Sequence, residues 1–262
     1  MGLEDRSLAS ICPPLRRFIV PGSVVLDVGC GPGAIALEVA SVVERGRVIG
    51  IDSDPNKIQR ATSIASQGRV ENVEFRLGDA TSLSFKDDFF DLVYSTHVLE
   101  HLNDRVAALR EMKRVAKPSG LVICSALDSS AAMFFPPCPS MEAIYRGWAR
   151  LPEMSDSTVA DPGLGRRMFS LGIEAGFSSL ETEIFGIPEF MATATHSEEI
   201  DKVYVQAKHH ARKDHERFSL LVNAGILSKD LSDRARTELE EWKSHPGAFF
   251  SRGAGVLIVG RA

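Results

Sequence analysis

From Val24 to Cys124, short apolar runs alternate with stretches in which apolar residues recur every three or four positions. The runs at 24–26, 48–51, 73–77, 89–95 and 121–124 read as strands, the first of them buried. Between the first two, Ile35, Leu37, Val39, Val42 and Val43 mark one helical face. Pro55 opens a second helix, with Ser53 or Asp54 as its cap. Val106, Leu109, Met112 and Val115 mark a third, from about Asn103 to Ala116, and Lys117 to Gly120 reads as a turn. Repeated β-α alternation predicts an α/β fold with a parallel, doubly wound sheet.

The flanks are less regular. Asp5 to Val20 predicts a short amphipathic helix broken at Pro13-Pro14. Beyond Asp128 the periodicity dissolves into an apolar, proline-rich stretch, and then Met141, Ile144, Tyr145 and Trp148 fall on one helical face. Residues 128–165 have the character of a lid or binding segment. Leu164 to Ala175 reads as a helix closed by Gly176, Ser179 to Phe185 as a strand, and Gly255 to Gly260 as a last, buried strand. Residues 186–253 separate those two strands, with charged amphipathic helices expected over 197–222 and 228–243. The expected organisation is one domain over 1–262, comprising a ligand-binding core at 20–127, the lid and this helical insertion.

Composition adds bounds. The 262 residues are 44% hydrophobic and 25% charged, enough for one sizeable core, and the net charge of −5 comes with no basic block. That balance argues against a nucleic-acid partner. The four cysteines, at 12, 30, 124 and 138, lack metal or disulfide spacing and read as thiols of a reducing cytosol. No apolar run is long enough to span a membrane, so a cytoplasmic protein is expected.

Chemistry concentrates at residues 24–33, VVLDVGCGPG. Glycines at a strand-to-helix turn permit positive φ and close approach of a ligand, and the helix start offers free N–H groups. Gly29, Gly31 and Ala34 satisfy a dinucleotide fingerprint, with Asp52 at the distance of a ribose-binding acid. An NAD-dependent dehydrogenase is therefore one reading, and Tyr204 with Lys208 has the spacing of a dehydrogenase pair. That pair lies in the insertion, where i,i+4 spacing means only a shared helix face. Asp79 ends the third strand as Asp52 ends the second. Both are expected at one crevice, Asp52 on a ribose diol and Asp79 facing an exocyclic amine such as an adenine N6.

Five segments in order, VLDVGCGPG (25–33), VIGIDSD (48–54), LGDA (77–80), FDLVYSTHVLEHL (90–102) and MKRVAKPSGLVI (112–123), resemble the class I S-adenosylmethionine-dependent methyltransferases. The resemblance covers roughly residues 20 to 125 and is closest to the small-molecule group that includes ubiquinone/menaquinone-type enzymes. It implies a Rossmann-like, doubly wound sheet of seven strands, mostly parallel, with the last strand antiparallel. Asp27, Gly29, Gly31 and Gly33 would then shape the methionine seat. Asp52 would hold the ribose with Ser53 beside it, and Asp79 and Ala80 would meet the adenine. Ser95 and Thr96 would approach the methionine side of the cofactor. Pro32 suits this family better than a pyrophosphate turn.

The acceptor is expected to be a small, partly apolar metabolite. His97 and His101, following the fourth strand, are the candidate general bases, and Glu100 is placed to orient either one. Phe134, Tyr145 and Trp148 are candidate acceptor contacts. No metal is expected, since His209, His210 and His215 lie among charged neighbours. The insertion could also support a homodimer. A cofactor-binding module without catalysis, working through that insertion, is the alternative class.

Overall fold

The computed structural model describes residues 6–150, 161–191, 221–223, 225–244 and 249–262. They form two compact units, the first of residues 1–126, 165–185 and 255–262, the second of 127–164 and 186–254. The sequence pattern predicts one domain with a lid and an insertion. In the fold, lid and insertion segments together make the second unit.

The first unit contains the expected sheet. Strands β1 (Val24–Val28), β2 (Arg47–Asp52), β3 (Val73–Leu77), β4 (Phe90–Thr96) and β5 (Ala116–Asp128) pair in parallel in the order β3-β2-β1-β4-β5. The order reverses between β1 and β4, the switch point where open α/β sheets seat ligands beyond the strands' carboxyl ends. The later strands β7 (Leu180–Met191) and β8 (Phe249–Arg261) complete the seven, β8 pairing with both β5 and β7. The last strands of this mixed sheet run antiparallel.

Local sequence explains the helices. Helix α1 (Leu8–Ile11) is capped reciprocally by Ser7 and Ser10, and Pro13–Phe18 continue as a 3-10 turn, so Pro13-Pro14 divides the segment as expected. Helix α2 (Ala34–Val43) starts at Gly33, and its Ile35, Ala36, Val39, Ala40 and Val43 join Leu8, Leu15, Val25, Leu92 and Tyr94 in one core cluster. Helix α3 (Pro55–Gln67) begins with proline at its first position, and the Asp54 side chain accepts from Asn56 N at 2.9 Å. Helix α4 (Arg105–Val115) is capped by Asp104 and buries Ala108, Leu109, Met112 and Val115. Helix α6 (Met168–Glu174) ends at Gly176, where φ is +87°. No described helix is long and apolar enough to cross a membrane.

One local expectation changes. Residues 117–120, read as a turn, lie inside β5. Phe90 pairs with Ala116 but Leu92 with Leu121, so four residues bulge opposite Asp91. Lys117 Nζ donates to Asp91 Oδ1 at 2.6 Å across that bulge.

In the second unit, helix α5 (Pro139–Trp148) packs on helix α7 (Lys229–Ser244). A short eighth strand, β6 (Met133–Phe135), pairs antiparallel with residues 249–251 of β8. The expected helix at 197–222 lies outside the described residues up to 220, as do Tyr204, Lys208, His209, His210 and His215.

Candidate functional site: the carboxyl ends of β1, β2, β3 and β4

The glycine turn is tied to its neighbours before any ligand is considered. Gly29 N and Cys30 N both donate to Ile51 O, at 2.7 and 2.8 Å, which pins the turn to β2. Gly29, Gly31 and Gly33 have φ of +78°, +56° and +88°. A Cβ on Gly29 would stand 2.3 Å from Val98 Cγ2, and one on Gly33 would stand 2.7 Å from Phe75 Cζ. Packing thus requires glycine at 29 and 33. A Cβ on Gly31 would meet nothing within 4 Å, so the middle of the turn faces open space.

Three carboxylates stand at the carboxyl ends of β1, β2 and β3, each in different surroundings. Asp27 is buried and pairs in register with Tyr94, whose hydroxyl donates to Asp27 Oδ2 at 2.8 Å. Burial pushes Asp27 up to about 7; the Tyr94 bond opposes the shift and the charge of Asp52 adds to it. Asp52, also buried, accepts from Gly31 N at 2.9 Å through Oδ2 and from Asp54 N at 3.0 Å through Oδ1. Lys57 Nζ lies 3.5 Å from the same Oδ1, and Ser53 is exposed beside it. Asp79 is exposed. Its Oδ1 accepts from Thr81 N and Thr81 Oγ1, each at 2.8 Å, and these bonds hold the carboxyl below its ordinary range. Asp52 and Asp79 stand at adjacent strand ends: Asp52 pairs with Leu77, and Gly78 N donates to Asp52 O at 3.1 Å. Ala80 is half-buried.

Across the switch point, Ser95 and Thr96 end β4. Ser95 is 1% exposed, and among the described residues its Oγ has no hydrogen-bond partner. A buried hydroxyl left in that state costs free energy unless something else reaches it. His97 follows with φ of +55°, a conformation rare for a residue with a side chain, and its N donates to Ser125 O at 3.0 Å. His97 Nδ1 lies 3.2 Å from Oε1 of the buried Glu100. His101 is exposed on the 3-10 turn Leu99–His101. The fold therefore pairs Glu100 with His97.

A family profile for the methyltransferase domain matches residues 19–159, more than half of the 262. The chain belongs to that family. It carries a class I S-adenosylmethionine-dependent methyltransferase domain. An uncharacterized methyltransferase of Schizosaccharomyces pombe is 32% identical over 169 residues, 62% of this chain and 59% of that one. A demethylmenaquinone methyltransferase of Bacillus cereus is 36% identical over 107 residues, 40% of this chain and 45% of its own. The matches thus span about half the length of these curated relatives. The solved structure of the YcgJ protein from Bacillus subtilis shares the fold, with a TM-score of 0.59 and 20% identity over 96% of this chain and 97% of that one.

The methyltransferase's residues fit its cofactor. Gly31 leaves volume in front of the turn, Asp52 and Asp79 stand at the neighbouring ends of β2 and β3, and the Ser95 hydroxyl is buried with no hydrogen-bond partner among the described residues. Among the described residues no group of three metal-ligating side chains comes together, and all four cysteines are buried free thiols.

The aromatic residues expected at the acceptor belong to the second unit. Phe134 is buried against Cys138 and Trp242, and Trp148 against Ile144, Leu221 and Ala235. Tyr145 is half-buried, with ring centroids 6.0 Å from Phe134 and 4.8 Å from Trp148. Two contributors escaped sequence reasoning. Tyr94 is the one ring with a hydroxyl in β4, and its register with Asp27 could have flagged it. Val98, which fills the space behind Gly29, carries no local signal.

Proposed function

We propose that this enzyme methylates a small, partly apolar metabolite, with His97 removing the acceptor's proton. When bound, S-adenosylmethionine supplies a methyl group made electrophilic by positive sulfur. Asp52 accepts from the ribose hydroxyls, with Ser53 alongside. Asp79 and Ala80 meet the adenine edge. Asp27, the turn glycines, Ser95 and Thr96 form the methionine end. Alignment of the acceptor behind the methyl carries much of the rate.

The observation that carries the proton-transfer part is the His97–Glu100 pair. A buried carboxylate on Nδ1 fixes the ring's orientation, and among the described residues Nε2 has no hydrogen-bond partner, so it is the nitrogen left to take a proton. His101 lacks such a support. For the acceptor's class, the acidic composition argues against nucleic acid, and one relative is named as a demethylmenaquinone methyltransferase.

The test is a metabolite extract incubated with enzyme and S-adenosylmethionine, scored by mass for gain of one methyl and by formation of S-adenosylhomocysteine. The expected result is a product that His97→Ala forms about 100-fold more slowly, with cofactor affinity unchanged. Cofactor binding without any methylated product would favour a non-catalytic module. An unchanged rate in His97→Ala would remove the base.

A further inference from the structure

Glu111 and Arg114 stand one turn apart on α4, and both reach off the helix to the backbone of the β3–β4 loop. Arg114 Nε donates to Glu111 Oε1 and Nη2 to Oε2, each at 2.7 Å. The same guanidinium donates through Nη2 to Leu83 O at 2.9 Å and through Nη1 to Phe85 O at 2.8 Å and Asp87 Oδ1 at 2.6 Å. These bonds use every N–H the group has. Glu111 Oε2 also accepts from Leu83 N at 2.8 Å, so both backbone polar groups of Leu83 are held by one ion pair.

The loop needs such a hold. Of residues 78–89 only Leu83 is buried, and Asp79, Ser82, Ser84 and 86–88 are exposed. A segment with so few apolar anchors opens at low cost. Its upstream end carries Asp79, which bridges to Ser82, the residue before the clamped Leu83. Asp79's carboxylate orientation therefore depends on a turn whose far side is fixed by α4.

We propose that Glu111 and Arg114 are positioning residues that set the affinity and base selectivity of the cofactor site by holding the Asp79 turn. This rests on the reading that Asp79 meets the adenine. Lysine cannot replace the arginine, because three donors on a point charge cannot span a carboxylate, two carbonyls and a second acid.

The test uses the full chain with Arg114→Lys and, separately, the isosteric Glu111→Gln. Each is titrated with S-adenosylhomocysteine and with its inosine analogue, in which an oxo group replaces the adenine amine. Hydrogen exchange at residues 79–87 and thermal melting are read alongside. Arg114→Lys should bind S-adenosylhomocysteine about tenfold more weakly. It should also discriminate less against the analogue and exchange faster in the loop. Glu111→Gln should move all three the same way by less, and it carries the test alone if Arg114→Lys does not fold. A lower melting temperature with affinity and discrimination intact would overturn the proposal, as would unchanged loop exchange. Asp79→Asn separates the underlying reading: if the wild-type preference for the amine survives it, Asp79 is not the adenine contact, whatever the clamp variants do.

Discussion

Two carboxylates do formally similar work in the two units. Asp52 accepts from the backbone N–H groups of Gly31 and Asp54. Glu238 accepts from the backbone N–H and the hydroxyl of Ser140, at 2.8 and 2.7 Å. What surrounds them differs. Beside Asp52, positive-φ glycine backbone keeps a volume open at Gly31. Beside Glu238, helix α5 begins and Cys138 is buried with Phe134 and Trp242. One acid organises a turn around a space; the other satisfies a helix end whose N–H groups need acceptors. A cluster of polar bonds marks a ligand seat only where the backbone holds space open in front of it.

Substitutions can break this contrast. The largest effect is expected at Gly29→Ala, which combines an unfavourable φ with a Cβ 2.3 Å from Val98. Stability to urea should fall by about 4 kcal/mol. Gly31→Ala meets no neighbour and should lose only about 1 kcal/mol, yet bind S-adenosylhomocysteine poorly because the methyl enters the open volume. Equal losses of stability at the two positions would refute the packing account. In the second unit, Phe134→Ala should cost about 3 kcal/mol of stability and leave cofactor affinity unchanged; a shift in affinity would mean that the aromatic cluster shares the cofactor's site. Asp52→Ala should weaken S-adenosylhomocysteine binding by about 2 kcal/mol in calorimetry, and an unaltered affinity would put the ribose elsewhere.

A further effect is spread over pH rather than confined to one substitution. Asp27 titrates at 3.8 when exposed and at about 7 in the fold, so the native state holds its proton where the unfolded chain has lost it. Its burial cost is absent below about pH 4, grows as pH rises, and is complete above about pH 7. Over that window it should lower stability by on the order of 1 kcal/mol per pH unit. Asp27→Asn should flatten the slope measured by denaturant melts. A slope that persists in the variant would assign it to another group.

The legible parts of the molecule are those that backbone chemistry fixes locally. Strand β3 falls where alternation puts it, Asp54 caps α3 ahead of Pro55, and Asp52 and Asp79 reach adjacent strand ends because each closes a parallel strand. Contacts between distant segments were hidden. The Tyr94–Asp27 bond joins residues 67 apart, and the hold of Arg114 on Leu83 depends on how α4 meets a loop 31 residues upstream. The Lys117–Gly120 sequence has turn chemistry, but Asp91 and the Phe90 pairing absorb it into β5 as a bulge. Helical spacing correctly placed Ile144, Tyr145 and Trp148 along α5. It could not say that α7 and Leu221 would cover them.

The most direct test of the central claim is a crystal structure with S-adenosylhomocysteine. The account predicts the ribose hydroxyls on Asp52, the adenine amine on Asp79 and the vacant methyl position opening toward His97. A nucleoside bound away from the Gly31 turn, or Asp52 and Asp79 both without ligand contact, would contradict it.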